Sequence, residues 1–63
     1  MGEQPEYSYT YDIDSRSYHV MTSYRNIREH HTVAGDQFTP DVAIALAERL
    51  KDFVDQFNTE ESS

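Results

Sequence analysis

Residues 6–14, Glu6-Tyr7-Ser8-Tyr9-Thr10-Tyr11-Asp12-Ile13-Asp14, decide the fold. Tyr7, Tyr9, Tyr11 and Ile13 fall on one face of an extended chain, and Ser8, Thr10, Asp12 and Asp14 on the other. Period-two alternation of aromatic and β-branched residues predicts a half-buried strand. Ser17 to Tyr24 alternates in the same way, with Tyr18, Val20, Thr22 and Tyr24 sharing a face. The polar stretch between them, Asp14-Ser15-Arg16-Ser17, reads as a turn. A four-residue loop over 14–17 fits better than a tight turn, because Ser-Arg suits a primed turn poorly. The expected register places Ile13 opposite Tyr18, Tyr11 opposite Val20, Tyr9 opposite Thr22 and Tyr7 opposite Tyr24. All the apolar residues then share one face. The other face would pair Asp12 with His19 and Glu6 with Arg25.

Working outward, Ile27, Glu29, His31 and Val33 alternate and predict a third strand, with a bend near Asn26 and a loop at Ala34-Gly35-Asp36. Thr39 is a good N-cap, Pro40 suits the first helical position, and Asp41 complements the helix dipole. Val42, Leu46, Leu50, Phe53 and Phe57 follow at helical spacing, and Ala43, Ala47 and Val54 widen the stripe. An amphipathic helix is expected over about 40–58. The predicted fold is α+β: an antiparallel sheet of two or three strands, with one C-terminal helix packed on its aromatic face. One domain is expected over 6–58, between disordered ends at 1–5 and 59–63.

The 63 residues carry twelve Asp and Glu against five Lys and Arg, a formal charge of −7. That balance argues against direct nucleic-acid binding and against anionic membranes, since both need clustered cations. No apolar run reaches the ~20 residues of a membrane span. With no cysteine, and with no basic-then-apolar leader over 1–6, a cytoplasmic location is expected.

The chain offers little for catalysis. Its glycines stand only at 2 and 35, so it has no phosphate-cradling loop, and none of its serines lies in a nucleophile elbow. His30 and His31 are adjacent, so on a strand they point to opposite faces. His19 and Asp12 form a His–carboxylate pair without an evident third ligand. We expect no enzyme activity, no cofactor and no metal site.

The remaining reading is a small acidic protein-binding module, an inhibitor or adaptor acting on a larger protein that is basic or nucleic-acid-binding. In size and charge alone it is similar to phage and mobile-element proteins that block host enzymes, some by presenting carboxylates in place of DNA phosphates. The candidate contact residues are Ile44, Glu48, Asp52, Asp55, Asp12 and Asp14. Ile44 is included because it is an apolar residue on the helix's polar arc. A core this small, with open sheet edges, also predicts a structural homodimer or assembly subunit. The order of elements, and nothing more specific, resembles that of small HicB-like antitoxin domains, which implies a third expectation, an antitoxin-like regulator.

Overall fold

A computed structural model of the chain describes residues 3–62, with side chains described over 3–57. Met1, Gly2 and Ser63, which belong to the expected disordered ends, lie outside the described residues. Three strands, β1 (Glu6–Asp12), β2 (Ser17–Tyr24) and β3 (Ile27–Ala34), precede one helix, α1 (Pro40–Ser62). The strands form an antiparallel sheet in the order β1-β2-β3, so β2 is central and β1 and β3 are both edges. The fold is α+β, and the third strand is present.

The alternation assigns the faces as expected, but the β1–β2 register is displaced by two residues. Tyr11 lies opposite Tyr18, Tyr9 opposite Val20 and Tyr7 opposite Thr22. A two-residue shift leaves every side chain on its original face, so the hydrophobic pattern alone cannot exclude it. The loop decides. Its four residues are Ile13–Arg16, and strand pairing closes on Asp12 and Ser17. Asp12 Oδ1 accepts the Asp14 amide at 3.0 Å, which folds the chain over at once. Arg16 completes the turn with φ 54°. Ile13, expected on the core face, is thereby expelled into the loop and is 76 % exposed. The β2–β3 connection is the two-residue turn Arg25-Asn26, with Arg25 at φ 57°. The expected Glu6–Arg25 pair does not form. Arg25 sits in that turn, and its Nε lies 3.4 Å from Glu3 Oε1.

Gly35 extends the β2–β3 ladder by one bond beyond the Ser17–Ala34 pair. Its amide donates to the Arg16 carbonyl at 2.9 Å, and a Cβ at this position would stand 2.8 Å from the same oxygen. Glycine is needed here for close approach rather than for a positive φ. The chain then turns at 34–37, where the Gln37 amide donates to the Ala34 carbonyl, and α1 begins with the Val42 amide on the Thr39 carbonyl.

The helix lies chiefly over β2 and β1 and barely touches β3. Its buried stripe is Ala43, Ala47, Leu50 and Val54, closed against Val20, Thr22 and Tyr24. All four lie within the expected stripe, but on the side that Ala43, Ala47 and Val54 widen, centred at 3.6 residues per turn about 70° from the row of Val42, Leu46, Leu50, Phe53 and Phe57. The alanines let the helix backbone approach the sheet, and the larger residues flank the contact. Phe53 and Phe57 overhang the β3 side and are 53 % and 57 % exposed, so neither is the core residue the sequence predicts. The aromatic face is only partly covered. Tyr18 stacks on Phe38 at 4.1 Å between ring centroids, with Tyr9 and Tyr11 against them, but Tyr7, Tyr9 and Tyr11 remain more than two-fifths exposed.

Candidate functional site

The accessible surface is 4995 Å². A compact monomer of 7.4 kDa would show roughly 4200 Å². Some of the surplus belongs to α1, which at about 1.5 Å per residue outruns strands of seven or eight residues. Large apolar side chains also stand exposed on both sides of the helix: Tyr7 and Ile44 toward β1, Ile27, Phe53 and Phe57 toward β3.

On the β1 side, α1 and the segment entering β1 enclose a groove of about 490 Å³. Pro5, Tyr7 and Ile44 give it apolar walls, and Glu48, Lys51 and Asp52 line it from the helix. Three of the six candidate residues, Ile44, Glu48 and Asp52, therefore meet in one place. Ile44 is 38 % exposed and Tyr7 43 % exposed, on the same side of the molecule.

The other candidates lie elsewhere. Asp55 belongs to an internal network. It accepts the Tyr24 hydroxyl at 3.0 Å and the Lys51 ammonium at 3.1 Å. Lys51 first, and then Tyr24, hold its carboxyl below the ordinary carboxylate range, and Asp55 in turn raises the Lys51 ammonium. Tyr24 is almost enclosed, so this network joins β2 to the helix. Asp12 and Asp14 lie at the β1–β2 turn, with Asp12 on the sheet face that turns away from α1.

On that open face the expected pair of His19 and Asp12 forms, and His30 joins it, which the sequence did not lead us to expect. His19 Nε2 donates to Asp12 Oδ2 at 3.2 Å, a diagonal contact across the displaced register. His19 Nδ1 lies 3.2 Å from His30 Nε2, and the two rings stack 5.2 Å apart. With both imidazoles neutral, His30 donates to His19 and His19 to Asp12; this network is what assigns the tautomers. The His19 bond, then the Asp14 amide, keep the Asp12 carboxyl below its usual range. Knowing that β2 and β3 pair would have revealed His19 and His30 as diagonal neighbours. The chain of groups resembles a proton relay, but it lies on an exposed sheet with no nucleophile hydrogen-bonded to its end. Among the described residues, no group of three or more acidic or histidine side chains is placed to hold a metal ion.

On the β3 side a second groove runs between β3 and α1. Ile27, Phe53 and Phe57 line about 490 Å³ of it, and Glu29, His31, Leu46 and Phe53 continue it. His31 Nε2 lies 3.2 Å from Glu29 Oε1 on its floor. Phe53 and Phe57 meet edge to face at 5.6 Å. Counting Phe53 and Phe57 as core concealed this groove in the sequence.

No family model matches the chain, and no curated protein or solved structure matches it. Among the described residues no helix is long and apolar enough to cross a membrane.

Proposed function

We propose that this protein is a small acidic protein-binding module, an inhibitor or adaptor that docks a larger basic protein through the groove between β1 and α1. The observation that carries the reading is the meeting of Ile44 and Tyr7 with Glu48 and Asp52. An apolar floor beside carboxylates fits a Lys- or Arg-bearing segment whose aliphatic stem lies on Tyr7 and Ile44. The tyrosine ring adds a cation–π surface. The formal charge of −7 speeds encounter with such a partner, and the apolar contacts hold it. No step of chemistry is assigned, and no cofactor. A cytoplasmic setting suits a chain that needs no disulfide.

The test is affinity capture at low and high salt with mass-spectrometric identification, repeated with Ile44→Asp and with Glu48→Gln/Asp52→Asn. A basic protein, lost at high salt and lost with both variants, is the expected result. Capture unchanged by either variant would move the contact off this groove. Capture indifferent to salt would remove the electrostatic part of the reading.

A second reading, a structural homodimer, is favoured by one specific observation. Ile27, Phe53 and Phe57 lie exposed beside the free edge of β3, on the side opposite the acidic groove.

A further inference from the structure

Strand β3 is an edge whose backbone is open to pairing. The two-residue turn makes Tyr24 and Ile27 a hydrogen-bonded pair. By alternation along the strand, the amides and carbonyls of Arg28, His30 and Thr32 point away from β2, toward the free edge. Its formal charges are Arg28 and Glu29, one of each sign. It has no proline and no lysine, and it runs for eight residues.

The charge distribution selects what can approach. Residues 25–34 hold two arginines against one glutamate, whereas the rest of the chain holds eleven acids against three bases. Two copies of this protein, each at −7, repel each other overall, and strand β3 itself, with Arg28 against Glu29, is formally neutral, so that repulsion is least at its edge. The other edge behaves differently. Pairing β1 with itself at full overlap sets Glu6 opposite Asp12 at both ends.

We propose that a second copy of this chain docks on the β3 edge, pairing β3 with β3 antiparallel about a two-fold axis at His30, to give one continuous six-stranded sheet. Only registers that keep both helices on one face are allowed, and these move in steps of two residues. Centred on Glu29, the pairing would set two glutamates directly opposite. Centred on His31, it would set Glu29 against Val33. Centred on His30, it sets Glu29 opposite His31 and Ile27 opposite Val33, each twice, on the helix face. Arg28 then faces Thr32 on the other. The outward backbone groups of Arg28, His30 and Thr32 become hydrogen-bonding partners in this register and not orphans. Phe53 and Phe57 of each copy overhang the joined floor and cover Ile27 and Val33. Ile27, Phe53 and Phe57, each more than two-fifths exposed in the single chain, are the apolar side chains that this pairing covers. The closed two-fold geometry limits growth to a dimer and leaves both β1 grooves free.

This inference rests on the homodimer reading and is independent of the acidic groove. The test begins with sedimentation of the wild-type protein across micromolar concentrations. A dimer is expected. His30→Lys places two ammonium groups across the axis, and dimerisation should weaken on the order of a hundredfold with the circular dichroism spectrum unchanged. Because the chain has no cysteine, His30→Cys alone should form a disulfide-linked dimer under mild oxidation. Ser8→Cys, on the same sheet face but on β1, should not. A wild-type monomer at several hundred micromolar overturns both the homodimer reading and this interface, and leaves the β3 groove to a different partner. A wild-type dimer that survives His30→Lys, or that cross-links through Ser8→Cys and not His30→Cys, overturns the β3 interface while the homodimer reading stands.

Discussion

The rotation of the helix can be tested by substitutions for which its two orientations predict opposite outcomes. If the stripe of Val42, Leu46, Leu50, Phe53 and Phe57 faced the sheet, Phe53→Ala and Phe57→Ala would each cost about 3–5 kcal/mol, as for an enclosed phenylalanine. In the structure these rings are 53 % and 57 % exposed. Truncation then removes about half of a phenylalanine's burial, roughly 1 kcal/mol each. Ala47 gives the converse. It is 2 % exposed against the sheet, so Ala47→Leu forces new bulk into a closed contact and should cost about 1–3 kcal/mol. On a domain of this size each kcal/mol moves the melting temperature by roughly 4–8 °C. The assay is urea denaturation followed by far-ultraviolet circular dichroism. It belongs in the His30→Lys background, so that lost self-association is not counted as lost folding. A cost near 3 kcal/mol for Phe53→Ala, together with a cost below about 0.5 kcal/mol for Ala47→Leu, would refute the helix orientation described here.

Other consequences follow from single contacts. Gly35→Ala drives a methyl group to 2.8 Å from the Arg16 carbonyl oxygen and should lower stability by about 1–3 kcal/mol in the same assay. Thr22 is 2 % exposed and its hydroxyl oxygen is buried without a hydrogen-bond partner, so the near-isosteric Thr22→Val should raise stability, by about 1 kcal/mol. The Asp12 and Asp55 carboxyls sit below their ordinary value of 3.8 in the folded protein. Their contribution is therefore complete above that value and is lost as pH falls through the lower folded ones. Lys51 is raised above 10.5, so its contribution is complete below 10.5 and is lost as pH rises past the folded value. Asp55→Asn, which still offers an acceptor to Tyr24, should flatten the acid limb of the stability profile below the ordinary carboxylate value of 3.8. An unchanged slope would show that Asp55 gains nothing from Lys51 and Tyr24.

Much of the fold was legible because local chemistry writes it directly. Alternation at Tyr7, Tyr9 and Tyr11, and again at Tyr18, Val20 and Tyr24, assigns strand faces without knowledge of any partner. Thr39-Pro40-Asp41 marks a helix start, and the structure begins α1 at Pro40. The grouping of Ile44, Glu48 and Asp52 was equally readable, since residues four apart share a helix face. Their meeting with Tyr7 was not, because it depends on which way the helix crosses the sheet.

By itself, then, the amino-acid order settled the hairpin and the helix, the face each strand residue occupies and the acidic balance of charge, and left the third strand to the structure. These depend on neighbours one to four positions away, within reach of a periodic pattern. Only the tertiary structure decided the strand register, the turn of the helix about its axis and the partners of Asp55 and His30. A two-residue slip preserves every strand face, so the hydrophobic pattern is blind to it; the Asp12–Asp14 turn decides it. Likewise a stripe wider than the contact can rotate without losing its apolar character. The close approach that Ala43 and Ala47 permit against β2 sets the final angle, leaving Phe53 and Phe57 beside the open edge of β3.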